Sequence, residues 1–211
     1  MRGRKSKSYV TLLHGRKVGL WGGPFAIPPR AFFRKYGLRV HEVPQSYTVN
    51  LFLHGGIDVA SAMWYNEYHT ILNAGIDPDE LSIFLLKDYG IDLPEDGLYT
   101  IEKTLKNDPG LAKGFAQASL DGWNYAFAHP EETLDVVIRY MREAKLPADR
   151  MHQKWMLERL RDLIISRGNQ GVLGILSRSD YTAAGQILLK NGEIRTLPGF
   201  KAFMGQFDAQ Q

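Results

Sequence analysis

The chain has 211 residues, of which 44% are hydrophobic and 23% charged, with a formal net charge of +3 and no cysteine. This composition describes a globular protein long enough to bury a sizeable core, without an apolar run that approaches a membrane span, and it excludes disulfides, thiolate metal sites and cysteine nucleophiles. The positive charge is local, because Arg2, Arg4, Lys5 and Lys7 in "MRGRKSKS" leave residues 9–211 at −1.

The sequence predicts a solvated basic tail over residues 1–11 rather than a nucleic-acid arm. The tail lacks the apolar stretch and small-residue cleavage site of a secretory signal, so no export signal is expected in it. Next, "RKVGLW" (16–21) reads as a short buried strand. Gly22 and Gly23 permit a tight turn, and Pro28 and Pro29 suit the first turn of the helix "PPRAFFRKYG", which Gly37 closes. Two readings of this corner stand side by side. The glycines and the free N–H groups of a helix start, with Trp21 beside them, suit a binding corner; alternatively the glycines serve only the packing of a strand-to-helix connection.

"LRVHEV" alternates as a strand, "SYTVNLFLHGG" carries Val49, Phe52 and Leu53 at helical spacing, and "DVASAMW" (58–64) is another apolar strand. The order βαβαβ implies parallel pairing with helices packed on the sheet. "NEYHTILNAG" is a short helix, "LSIFLL" (81–86) a further strand, and "LYTIEKTL" a strand running into a helix. From Asp108 three helices follow, punctuated by Pro109, Pro130 and Pro147. In the first of them Leu111, Phe115, Ala118, Gly122 and Tyr125 form an apolar stripe expected to face the core. "GVLGILSRSDYTAAGQILLKNGEI" adds a short strand and a helix capped by Ser177 or Ser179.

Metal chemistry finds no support in the six histidines. "HEVPQ" lacks the second histidine of a zincin helix, and Glu67 and His69 are two residues apart, hence on different faces of a helix. Neither a P-loop, a GxSxG elbow nor a dinucleotide fingerprint occurs. The more informative stretch is "SAMWYNEYHT", where Trp64, Tyr65, Asn66 and Glu67 fall at the end of a strand. Ligands of α/β sheets lie outside the carboxyl ends of strands, and Trp21 with Gly22 mark a second such end. Aromatic faces, an amide and a carboxylate suit a flat, nitrogen-rich heterocycle. The same residues also fit a core tryptophan beside a helix-capping Asn66.

"GRKVGLWGGPFAIPPRAFFRKYGL", "GGIDVASAMWYNEYHTIL", "DGLYTIEKTLKNDPGLAKGFAQASLDGWNYAFAHPEETLDVVI" and "HQKWMLERLRDLI" together resemble the substrate-binding proteins of ABC transporters for sulfonates, nitrate and thiamine-pyrimidine precursors. That group includes the fungal-type pyrimidine synthase of thiamine biosynthesis. The resemblance runs from about residue 12 to 205. It implies an α/β, periplasmic-binding-protein-like fold of type II, truncated at the N-terminus, with residues 12–105 as the second lobe and the helical residues 106–211 returning toward the remnant of the first. It also implies a solute-binding module for a small organic ligand, most simply a thiamine-precursor pyrimidine, delivered to an ABC permease without a cofactor of its own. Trp21, Gly22, Gly23, Asn50, Trp64, Tyr65, Asn66 and Glu67 are the candidate ligand-binding residues. Two other readings stay open: a pyrimidine-synthase-like enzyme, which in the family needs a cysteine-rich cluster near "LPEDGLYTIEKT" and a pyridoxal phosphate lysine, or a remnant that binds nothing. Partial loss of the first lobe would leave Trp155, Leu157, Leu160 and Ile164 uncovered, so a homo-oligomer is expected.

Overall fold

The computed structural model describes residues 10–94, 97–165 and 173–204. Most of the expected basic tail, the start of the strand expected at "GVLGIL" and part of "LPEDG" therefore lie outside the described residues. Two compact units emerge, one gathering the chain up to Pro94 together with Thr182–Leu197, the other the remainder. The architecture is mixed α/β, rich in helix, with a small parallel sheet.

In the first unit, strand β1 (Lys17–Leu20) pairs in parallel with β2 (His41–Pro44), in the register Lys17↔His41 to Leu20↔Pro44. Helix α1 (Ile27–Tyr36) makes the crossover. Its start is set by a 3-10 turn at Gly23–Ala26, with Pro28 and Pro29 where no intrahelical N–H is required. Its end is a Schellman closure: Gly37 adopts φ 62°, its N–H reaches the Arg34 carbonyl at 3.2 Å, and the Leu38 N–H reaches that of Phe33 at 2.9 Å.

On the other edge of β1 the chain at 58–61 lies parallel as well. Val59 donates to the Lys17 carbonyl (3.1 Å), Gly19 to that of Val59 (2.8 Å), and Ser61 to that of Gly19 (3.2 Å). The sheet order thus places β1 in the middle. The strand expected over 58–64 shrinks to this single bridge because the backbone turns at Met63, whose carbonyl accepts the Asn66 N–H at 3.1 Å. Before it comes the single turn α2 (Asn50–Leu53); after it, α3 (Glu67–Asn73).

The core lies beneath α1. Phe32, 2% exposed, meets the rings of Tyr36 and Tyr89 at 5.0 Å and of Phe84 at 6.2 Å, and Val18, Leu20 and Ile91 complete the cluster. Val10, placed in the tail by the sequence, is 1% exposed and belongs to this core with Leu13. No strand forms at 81–86: the apolar run covers α1 through Phe84 and Leu86 and then closes into a 3-10 turn, Leu86–Tyr89. An apolar run records burial, and burial here needs no ladder. "LYTI" is not a strand either; only its continuation is helical, as α4 (Glu102–Asn107).

The second unit is helical. Helix α5 (Pro109–Ala128) is capped by Asp108, which accepts the Leu111 N–H at 2.8 Å, and α6 (Pro130–Glu143) begins at the second proline. Helix α7 (Arg150–Ile165) starts three residues after Pro147, because Asp149 caps it instead: its Oδ1 accepts from Met151 (2.9 Å) and His152 (3.1 Å). Asp149→Ala should therefore cost about 1 kcal/mol in urea unfolding, with Asp149→Asn recovering most of it. Leu134 and Ile138 of α6 are buried, and Trp155, Leu157, Leu160 and Ile164 of α7 are half-buried. Helix α8 (Arg178–Asn191) takes Ser177 as its cap, with the Asp180 N–H 3.0 Å from Ser177 Oγ, and from Thr182 onward it belongs to the first unit; α9 (Phe200–Met204), in the second, brings Phe200 and Phe203 against Tyr181.

The stripe of α5 departs from expectation. Leu111, Phe115 and Tyr125 are 59%, 62% and 50% exposed, and Ala118 and Gly122 are open as well. Periodicity identifies an apolar face without saying what meets it. Here the half-buried positions are Ala112, Ala116, Ser119, Leu120, Ala126 and Phe127, a different face of the same helix.

Candidate functional site

A cleft of about 420 Å³ opens in the first unit, beyond the carboxyl end of β2. One wall is the segment Tyr47–Asn50 with Leu53; the other is α3 with the residue before it, through Asn66, Glu67, Thr70, Asn73 and Ala74. The location follows from the topology. With β1 central, the connections leave the carboxyl edge toward opposite sides, which is where open α/β sheets bind ligands.

Glu67 is buried and heads α3. Its Oε2 accepts the Met63 N–H at 2.9 Å and its Oε1 the Asn66 Nδ2 at 3.1 Å. Placed at a helix start, the carboxylate is stabilised by the dipole and by a backbone donor. Two bonds leave part of its acceptor capacity unused, since an ionised carboxylate offers about four lone-pair sites. Asn50 opens α2 at the cleft surface, exposed, and Tyr47 stands at the rim with 88% of its surface exposed.

The structure brings three of the sequence-derived candidates, Asn50, Asn66 and Glu67, to this cleft. Trp21 lies elsewhere: its Nε1 donates to the Ser46 carbonyl at 3.1 Å, and its ring meets Phe25 edge-on at 6.1 Å. Gly22 and Gly23 form the turn into α1, with Gly23 at φ 62°. Trp64 stacks on Tyr68 at 4.5 Å, and burial raises the Tyr68 phenol above its ordinary pKa. Tyr65 is half-buried and, like Trp64, is not part of the cleft lining. Tyr47, Thr48, Thr70 and Asn73 were missed by the sequence reading. The first two had a signal, since they follow β2 at its carboxyl end; Thr70 and Asn73 had one too, at three and six residues from Glu67 on the face α3 turns to the cleft.

Gln45, also buried, ties the sheet to the approach of the site. Its Nε2 donates to the Ser61 carbonyl (2.8 Å) and its Oε1 accepts the Ser61 N–H (3.0 Å), bridging the end of β2 to the chain leaving β1's other edge. Among the described residues no group of three or more histidine or acidic side chains could hold a metal, and no helix is long and apolar enough to cross a membrane.

No curated protein matches the chain. The family model described as NMT1/THI5 like matches residues 8–133, more than half of the chain and the whole of the cleft lining. That family covers solute-binding proteins as well as thiamine pyrimidine synthases, in accord with the sequence resemblance. With its parallel sheet, its cleft at the carboxyl edge and this match, the chain belongs to the NMT1/THI5-like family.

Proposed function

We propose that the chain is a solute-binding module of the type II periplasmic-binding-protein kind, and that its ligand is a small nitrogen heterocycle of the aminopyrimidine class related to thiamine precursors. The observation that carries this reading is the chemistry of the cleft. Its lining holds one carboxylate, three asparagine amides and two threonine hydroxyls, and no lysine or arginine. A sulfonate or nitrate needs positive charge or converging donors to replace its hydration, and the buried Glu67 carboxylate in the lining would repel it. A neutral heterocycle carrying N–H donors meets acceptors at Glu67 and the amides, and Tyr47 offers a ring face for stacking.

The reading is one of binding rather than catalysis. A synthase of this family would, by the resemblance, use a cysteine-rich cluster, and the chain has no cysteine. Delivery of the solute to an ABC permease is the role that such a module would serve.

Thermal-shift titration tests the proposal. An aminopyrimidine at a hundred times its dissociation constant stabilises the folded state by about 2.7 kcal/mol. Tyr47→Ala and Asn50→Ala should abolish that shift and leave the melting temperature of the free protein unchanged, since both side chains are exposed. A shift with an alkyl sulfonate and none with any aminopyrimidine would overturn the ligand class. A pyridoxal phosphate Schiff base, seen by absorbance and lost on replacing one lysine, would overturn the non-catalytic reading.

A further inference from the structure

We propose that the heterocycle, neutral in water, is held in the cleft as a cation: it takes a proton on a ring nitrogen as it binds, with Glu67 as its counter-ion. The inference rests on the aminopyrimidine reading of the cleft and adds the charge state in which that ligand is bound.

The first observation is a charge without a counter-charge. Glu67 is 8% exposed, and the two groups that bond to it, the Met63 N–H at 2.9 Å and the Asn66 amide at 3.1 Å, are both neutral. No basic side chain makes an ion pair with it among the described residues. From Gln45 to Ile76, the stretch that supplies both walls of the cleft, there is no lysine or arginine at all. A carboxylate withdrawn from water gains most from a positive partner at contact distance, because Coulomb attraction strengthens as the effective dielectric falls.

The second observation is that the donors of the α3 wall are already engaged. The Thr70 hydroxyl donates its one proton to the Asn66 carbonyl at 3.4 Å, so what remains on that oxygen is an acceptor. Asn66 Nδ2 bonds Glu67, and Asn73 Nδ2 stands 3.2 Å from His69 Nδ1, which accepts there because an amide nitrogen only donates. Asn73 Oδ1 keeps its acceptor capacity. Tyr47, 88% exposed at the rim, adds an aromatic face, which attracts cations.

A wall of acceptors needs a ligand that brings protons. In a neutral aminopyrimidine the ring nitrogen beside an amino group is itself an acceptor, and its lone pair would face those of Glu67. Protonation of that nitrogen replaces the repulsion with a fork: the ring N–H and one amino N–H lie side by side and match the two oxygens of a carboxylate. Each oxygen has acceptor capacity left for this after its bond to Met63 or Asn66. The proton comes from water, so above the ligand's own pKa each binding event takes one from the buffer. Tyr47 and Glu67 are the titratable groups of the lining. Next to it come Tyr68 and His69 on α3, His54 directly after α2, and Asp58, which accepts the Lys17 N–H at 2.8 Å.

Isothermal titration calorimetry of the full chain with 2,4-diaminopyrimidine counts these protons, when run above the solution pKa of the probe in buffers of different ionisation enthalpy. The expected uptake approaches one proton per ligand, with Kd rising about tenfold per pH unit in that range. Ultraviolet difference spectra locate the proton: the bound probe should absorb as the protonated ring at a pH where the free probe is neutral. On the parent protein 1,3-diaminobenzene, which keeps both amino groups and has no ring nitrogen, should bind about 10- to 100-fold more weakly. Glu67→Gln should lower 2,4-diaminopyrimidine to a similar level and abolish the proton uptake. Binding without proton uptake overturns the inference and leaves the aminopyrimidine reading standing, as does an uptake accompanied by the spectrum of the neutral ring, which would place the proton on the protein. Undiminished affinity for 1,3-diaminobenzene, or undiminished binding by Glu67→Gln, also overturns it. Failure of every aminopyrimidine to bind overturns both readings.

Discussion

Phe32→Ala is expected to remove about 3–5 kcal/mol of stability, a large fraction of what holds a domain folded. The ring is 2% exposed and touches Phe33, Tyr36, Phe84 and Tyr89, residues from α1, from the apolar run after α3 and from the 3-10 turn at Leu86–Tyr89. Truncation leaves a cavity that these neighbours can close only by giving up their mutual edge contacts, such as Tyr36 with Tyr89 at 5.8 Å. Phe32→Leu should cost less, since it retains most of the apolar volume. Urea unfolding monitored by near-ultraviolet dichroism measures both, and a loss under 1 kcal/mol for the alanine variant would contradict a central role for the ring.

Gly19→Ala is the second large effect, about 1–3 kcal/mol, and it arises from overpacking rather than from a cavity. A Cβ at this point of β1 would stand 2.4 Å from Gln45 Oε1 and 2.5 Å from Ile57 Cδ1. Either atom could swing away from a surface residue at little cost, but Gln45 and Ile57 are both buried, and Gln45 would have to abandon both hydrogen bonds to Ser61. The damage should spread from the sheet to the cleft. The chain at 58–61 is held to β1 by bonds that converge on Gly19, and Asn66 and Glu67 follow it by only a few residues. Hydrogen exchange should show faster exchange at Ser61 and in the first turn of α3, together with weaker ligand binding. The double variant Gly19→Ala with Gln45→Ala should recover part of the stability by making room for the new methyl group.

The first of these positions illustrates what the sequence determined without help. The helix carrying Phe32 was legible because its signals are local: prolines suited to the first turn, paired aromatics at core spacing and a glycine able to take φ 62°. The parallel arrangement was legible because a strand, a helix of that length and another strand leave few other topologies. The helical second half was legible from Asp108, Pro109 and Pro130, each of which acts within one turn. Family membership followed from the order of whole segments, which no single contact decides.

Tertiary structure decided the rest, wherever two chemically sound partners competed. Trp21 and Trp64 carried a signal for stacking, but the first spends its N–H on Ser46 and the second lays its ring on Tyr68. Glu67, read from the sequence as a carboxylate for a ligand, also takes two donors from its own neighbourhood, Met63 and Asn66. The apolar run at 81–86 packs against α1 without joining the sheet. On α5 two faces were apolar enough to meet a neighbour, and the half-covered one uses Ala112, Ala116 and Leu120 rather than Leu111, Phe115 and Tyr125. Local propensity is set by a residue and its neighbours within a turn, whereas burial is a property of whatever else arrives in space, which a one-dimensional pattern does not encode.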